Sequence, residues 1–543
     1  MLWLIILGCL PLAGAVVTAF LRGTGRSMVG LGFAVVTFCL ALYTVTIRST
    51  TSIAYSWIPQ VGAWFALRMD GLTALLVVVS AGLMVAVCVA KLGSPAKNPL
   101  FMPLGLALEG LALFTFLADD ALLFFLFFEA TLVPMYFLIA AGANGKRAAA
   151  ALKFLLYSLA GGLVLLGGIV YLMVVGDGLR FEDLAKLVLT PQAQHVLVIV
   201  FFVAFAVKAP LVPLHPWLPD AVEHGRPETS VLLVGMLDGI GLYGMVRFCL
   251  GVTPVGAAWA AQGIAIAAVV SIVYGALAAI ASRSLMRLVA YASVSHAGFM
   301  ALGLFALSQA SMTGSMVYVA AHAVSAAALL LAAGWVVERR GDSLGKGEFG
   351  GLARPAPVLA GVFLLAGLAT LALPGTGNFA AEFSVIVGAW ANFPVITAVS
   401  LIGVLAAGVY VLWAYQRVFT GTSAIAVAPA DDAVLVDDFD TGRNENAAPT
   451  HGEAPTHGER PTRGAPDDNT TGQLPVIEDS AEPPLAAQPP VSADPPASDI
   501  GWTARLAIGM LLAAVLALGF YPALAQHLVT PIAEAVMHAI GGG

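Results

Sequence analysis

Apolar runs separated by short polar breaks recur along most of this 543-residue chain. A helix needs about 20 apolar residues to cross the hydrocarbon core of a bilayer, and by that rule the pattern predicts about fourteen transmembrane helices. The first lies near 2–21 and the last near 502–525. Two runs are interrupted. Lys208-Ala209-Pro210 is followed by Pro213, Pro216 and Pro219, and Leu373-Pro374-Gly375-Thr376-Gly377 divides the long run at 356–390 into two half-helices. Proline removes a helical hydrogen bond, and the freed carbonyls are tolerated in lipid only where they face protein or water. Broken helices of this kind recur in transporters built from inverted repeats. Spans four to eight hold one break and spans nine to thirteen the other. The expected fold is an all-α polytopic membrane protein with inverted repeats and two broken helices.

Composition agrees with that pattern: 59% of residues are hydrophobic and 10% charged, against about 25% charged in ordinary soluble domains. The pattern changes after residue 420. Residues 421–500 are rich in Pro, Ala, Thr and Asp, carry a tandem APTHGE (Ala448–Glu453, Ala454–Glu459), and hold 15 acidic residues against 3 arginines. Such a segment cannot bury enough apolar surface to fold alone and is expected to be disordered. The domain division expected is therefore a transmembrane bundle at 1–420, an acidic insertion at 421–500, and a last transmembrane helix with an outer-face tail at 501–543. The formal charge of −7 belongs to the insertion, since the remainder is +5. Nothing in it implies a nucleic-acid partner; the partner implied by composition is the lipid bilayer.

Basic residues set the orientation. Loops after odd-numbered spans and their flanks carry fourteen, including Arg22, Arg26, Lys91, Lys97, Lys346 and Arg417. The opposite side carries mainly five: Arg48, Arg68, Arg180, Lys186 and Arg247. The positive-inside bias puts both termini on the outer face. Met1–Phe20 lacks a basic n-region and reads as a retained anchor. Cys9, Cys39, Cys88 and Cys249 are isolated, so iron–sulfur and zinc sites are not expected.

Three lone ionisable residues interrupt long apolar stretches: Glu129, Lys208 and Glu382. At such depth a charge is costly unless it pairs or lines a wet cavity, so these positions mark an ion or proton path. Glu129 and Lys208 suit each other, each favouring the other's charged form. His322, in YVAAHAVSAAALL, and His296, in YASVSHAGFM, lie within spans and are of the residue type that titrates near neutral pH. Glu109 and Asp238 are further intramembrane carboxyl groups, for which helix packing stays open, as it does for the two histidines. Lys153 reads as a snorkelling residue or a buried one. His215 and Trp217–Asp220 are expected to form a tight turn at the cytoplasmic end of the Lys208 span.

Four fragments, FFEATLVPMYFLI, KAPLVPLHPWLPDA, LVAYASVSHAGF and LPGTGNFAAEF, occur in this order. Together they closely resemble the antiporter-like subunit M/chain 4 family of bacterial NADH–quinone oxidoreductase (respiratory complex I). The resemblance covers about residues 1–420 and the last span. It implies a proton-pumping subunit of the membrane arm, in the bacterial plasma membrane, whose partners are other membrane-arm subunits, including neighbouring antiporter-like ones. Glu129 falls on the family's paired carboxylate, Lys208 on its proton-carrying lysine, His322 on the connecting route and Glu382 on the exit-side group. His296 and Asp238 are further candidates for the path. No cofactor is expected in this subunit; flavin, iron–sulfur clusters and quinone belong to others. Subunits of multi-subunit cation/proton antiporters and of membrane hydrogenases share the Lys208-type segment, and Glu382 rather than a lysine favours the complex I reading.

The chain departs from that family twice. Relatives usually carry a lysine where Met236-Leu237-Asp238-Gly239 places Gly239, and Glu223–Glu228 replaces a small, Ala/Pro-rich stretch. The lysine-to-glycine change leaves the step between Lys208 and His322 to water or Asp238, and keeps open a structural subunit with an impaired path.

Overall fold

The structure is a computed structural model that describes residues 2–46, 50–92, 99–142, 145–340, 344, 350–421 and 499–541. Arg48, Lys97, Lys346 and nearly all of the acidic insertion with its tandem repeat lie outside the described residues.

Helices α1 (Leu2–Phe20) and α2 (Gly23–Thr46) precede an antiparallel hairpin of β1 (Thr51–Ile58) and β2 (Ala63–Met69). The hairpin is an addition to the expected all-helical architecture. Its turn runs through Pro59 to Gly62, whose φ of 67° is a conformation glycine adopts without strain. Then follow α3 (Gly71–Leu92) and α4 (Phe101–Leu117). The expected span at 120–141 is two stacked helices, α5 (Ala121–Ala130) and α6 (Leu132–Ala140), with Pro134 just past the junction. Next come α7 (Gly145–Val175), a short α8 (Phe181–Lys186), α9 (Pro191–Lys208), α10 (Trp217–His224), α11 (Pro227–Leu232) and α12 (Asp238–Gly244). Two π-helical turns, Leu233–Leu237 and Met245–Leu250, join α11 to α12 and extend α12. The rest are α13 (Pro254–Ala281), α14 (Leu285–Phe305), α15 (Gln309–Arg340), α16 (Pro357–Thr370), α17 (Gly377–Trp390), α18 (Pro394–Phe419), α19 (Trp502–Phe520) and α20 (Pro522–Gly541).

Among the described residues, 12 helical stretches are long and apolar enough to cross a membrane. The other two expected spans are the shorter α4 and the broken pair α16/α17. The broken helix is the fourth member of each five-span set: α9/α10 in the first, α16/α17 in the second. An odd offset of five spans reverses chain direction, which is what makes the two sets inverted. The third span packs on the broken fourth in both, α7 on α9 and α10, and α15 on α16 and α17.

Each break has a local cause. Pro210 has no N–H to continue α9 and pushes Ala209 out of helical geometry (φ −85°, ψ 43°). The freed groups find partners: Val212 N donates to Ser271 Oγ (2.9 Å) and Trp217 Nε1 to Val207 O (2.8 Å). The chain then resumes as helix α10 rather than the tight turn expected for Trp217–Asp220, because Pro216 and Pro219 lie at and near its start, where missing N–H groups cost nothing. His215 lies in the break itself, packed edge-on to Tyr274. In the second break Gly375 adopts φ +97°, and Thr376 Oγ1 donates to Leu373 O (2.7 Å).

Charged residues gather at two ends of the bundle. At the hairpin end Arg180 pairs with Asp119 (3.4 Å) and Arg247 with Asp70 (2.5 Å), while Asp120 caps α5 at Leu122 N and Leu123 N. At the α10 end Lys91 pairs with Glu228 (2.8 Å), Lys153 with Asp220 (2.6 Å), and Arg287 with Asp220 and Glu223. Lys153 is thus one member of an ion-pair network. Of the basic residues that sequence assigned to opposite faces, Arg180 and Arg247 lie in the first cluster and Lys91 and Arg287 in the second.

The last span ends at Phe520, short of the expected 525. The tail continues as α20, which buries Ala525, Val529, Ala533 and Val536 on one face. It packs on α3 so closely that a Cβ on Gly71 would lie 1.8 Å from Leu528 O.

Candidate proton path

Glu129 and Lys208 come together on the glycine-rich face of α7. Lys208, the last residue of α9, is 1% exposed, and its Nζ lies 4.9 Å from the Phe128 ring centroid and 5.7 Å from that of Phe154. Cation–π contacts of this kind offset part of the cost of burying an ammonium, by about 0.5–2 kcal/mol each. The ammonium has no hydrogen-bond partner, and the carboxylates acting on its charge are Glu129 and Asp238. Glu129 Oε1 is likewise buried without a partner. The two groups therefore face each other through space rather than in a closed ion pair, an arrangement whose energy depends on small movements.

Gly162 makes room for the carboxylate. A Cβ there would lie 1.8 Å from Glu129 Oε1, so any side chain must displace it. Gly162→Ala is expected to leave the bundle folded and push Glu129 aside. A retreat of one or two ångströms weakens the Glu129–Lys208 attraction by about 1 kcal/mol at an effective dielectric of roughly 20, or about fivefold in the charge equilibrium of the lysine. Proton transport at normal assembly measures this, and a native rate would show that the Glu129 position is unimportant.

The second cluster lies on α14, α15 and α17. His296 Nδ1 is 2.7 Å from Tyr318 Oη, and Tyr318 Oη donates to Glu382 Oε2 at 2.5 Å. A phenol has one proton. With that proton directed at Glu382, His296 must donate its Nδ1–H to the phenol oxygen, which leaves Nε2 as the free lone pair. Nε2 indeed has no partner, and the His296 ring centroid is 5.0 Å from that of His322. His322 Nδ1 is also unpartnered. Ser325, one turn on, donates to His322 O and accepts from Asn378 Nδ2 (2.9 Å), tying α15 to the start of α17. His296, Tyr318 and Glu382 thus form a hydrogen-bonded line through an apolar interior, with the His322 ring beside its His296 end.

Tyr318 is the residue that sequence reasoning missed. It precedes His322 by four positions, so both occupy one face of α15. A second buried tyrosine, Tyr410 of α18, is close enough to Glu382 for the two to interact electrostatically, and its hydroxyl is unpartnered. Asp238 opens α12 immediately after a π-helical turn and is 6% exposed. It lies between the Lys208 and His322 clusters, on one of the most deeply buried spans of the bundle. Glu109 is fully buried in α4 with neither oxygen partnered, and it belongs to neither cluster. Among the described residues no group of His, Cys, Asp and Glu is arranged to hold a metal ion.

Residues 118–408, which contain both broken helices and both clusters, match the family described as NADH:quinone oxidoreductase/Mrp antiporter. NADH-quinone oxidoreductase subunit M of Mycobacterium tuberculosis is 35% identical over 473 residues, covering 78% of this chain and 85% of its own length. Subunit M of Escherichia coli is 38% identical over 384 residues, covering 68% of this chain and 75% of its own. A chain of respiratory complex I from Thermus thermophilus superposes with a TM-score of 0.81 at 26% identity, covering 99% of this chain and 100% of that one. This chain therefore belongs to the NADH:quinone oxidoreductase/Mrp antiporter family of polytopic membrane proteins.

Proposed function

We propose that this chain is the proton-translocating subunit M of a bacterial NADH–quinone oxidoreductase, placed in its membrane arm beside other antiporter-like subunits. One observation carries the reading: buried, partnerless Lys208 faces Glu129 at one end of a polar line that ends in the hydrogen-bonded His296–Tyr318–Glu382 cluster. The names of the relatives support it. Redox chemistry is assigned to other subunits, which hold the flavin, iron–sulfur clusters and quinone. The chain crosses the plasma membrane many times, with both termini on the outer face and the acidic insertion on the cytoplasmic side.

Quinone reduction elsewhere changes the separation of Glu129 and Lys208. With Glu129 near, the lysine holds its proton; with Glu129 withdrawn, the ammonium loses its counter-charge in an apolar setting and releases it. The proton passes by His322, His296 and Tyr318 to Glu382 and leaves on the outer side. Moving one charge through ~100 mV takes about 2.3 kcal/mol, and one unit of proton affinity is about 1.4 kcal/mol. A swing of about two units at Lys208 matches that work.

The experiment is to extract the tagged chain in mild detergent and reconstitute what comes with it. A complex that oxidises NADH with quinone and moves protons across sealed vesicles is expected. A second reading, a cation/proton antiporter subunit, draws on the Mrp branch of the same family description. An assembly without NADH chemistry that exchanges sodium for protons would establish it.

A further inference from the structure

Between Lys208 and His322 the path crosses a gap, and the structure contains a small cavity there. It is lined by Ala209, next to Lys208, by Asp238 and Gly239 of α12, by Ser293 of α14, and by Val319 and His322 of α15. Its volume for water centres is about 10 Å³, enough for a single water when polar groups line it. Polar groups do. Asp238 Oδ1 and His322 Nδ1 are both buried without a hydrogen-bond partner. The Ser293 hydroxyl is committed to Val289 O and leaves its lone pairs free. Gly239 keeps the space open: a Cβ there meets Val319 Cγ1 alone, at 3.2 Å, and any longer side chain would enter the void.

We propose that Asp238 carries the proton between Lys208 and His322, relayed by water in the cavity that Gly239 leaves open. The inference rests on the proton-pump reading above. The Lys208 ammonium gives its proton to the Asp238 carboxylate and becomes a neutral amine. The Asp238 carboxylic acid then passes the proton through water to His322 Nδ1, which becomes imidazolium, and Asp238 returns to the carboxylate. The π-helical turn before Asp238 fits this role, since such turns widen a helix and redirect the side chain that follows.

The test compares protons moved per NADH for reconstituted complexes bearing Asp238→Asn, Lys208→Met, and Asp238→Asn combined with Gly239→Lys. Asp238→Asn is expected to fall to the Lys208→Met level at normal assembly. The double variant, which supplies a titratable group beside the lost one, is expected to recover at least half of the difference. A purely structural aspartate would show no such rescue. Should Asp238→Asn fail to assemble, Gly239→Leu fills the cavity and is expected to lower the ratio equally. A native ratio in Asp238→Asn or Gly239→Leu, alongside a lowered one in Lys208→Met, overturns this proposal alone. An unchanged ratio in Lys208→Met overturns the pump reading beneath it.

Discussion

Replacing Lys208 by methionine is expected to stop proton transport through this chain while the complex still assembles. Methionine matches the four-atom stem of lysine and places its methyl group near Phe128 and Phe154, over which the ammonium now sits. Removing the ammonium relieves its burial cost, and Glu129 and Asp238, which lose their counter-charge, can take up protons instead, so assembly is expected to survive. The path does suffer. With no titratable group at the end of α9, a proton must cross an apolar gap as a bare charge. That adds several kcal/mol and slows transport about a hundredfold or more. Proton uptake by sealed vesicles, set against the yield of intact complex, is the measurement. Native transport at native yield would remove Lys208 from the mechanism.

Tyr318→Phe is expected to have the next largest effect, and it tests a residue that only the structure identified. Phenylalanine keeps the T-shaped packing on His296 and loses both hydrogen bonds, to His296 Nδ1 and to Glu382 Oε2. Two hydrogen bonds contribute about 0.5–1.5 kcal/mol each, so transfer from His296 to Glu382 should slow about ten- to hundredfold. The defect should appear as a lower proton-to-NADH ratio with unchanged assembly. If His322 reaches Glu382 by another water route, the variant will pump like the native chain and Tyr318 is a packing residue.

How much of this could be read from sequence depended on contrast. Glu129, Lys208 and Glu382 stand out because burying an ionisable group in an apolar run is too costly to serve packing alone. Both helix breaks were legible for a related reason, since proline and glycine act on their own backbone. Tyr318 gave no such signal: a tyrosine in an apolar span is ordinary, and only its four-residue spacing from His322 hinted at a shared face. The roles of Gly162 and Gly239 depend on Glu129 and Val319, residues distant in sequence, and no local pattern encodes them. The hairpin was more accessible than it looked, with Tyr55 and Trp57 before, and Trp64 and Phe65 after, a Pro-x-x-Gly turn. The helical form of Trp217–His224 was obscured by its prolines, which fall near a helix start as readily as in a turn.

The proposed mechanism turns on energy reaching Lys208 through Glu129. The decisive quantity is the number of protons moved per NADH by the reconstituted complex when Glu129 becomes glutamine. Glutamine fits the space that Gly162 provides and carries no charge. The ratio should fall by the whole share of this chain, to the value set by Lys208→Met, with assembly unaltered. A ratio equal to the native one would contradict this coupling, because Lys208 would then be loading and releasing its proton without the partner on which the mechanism depends.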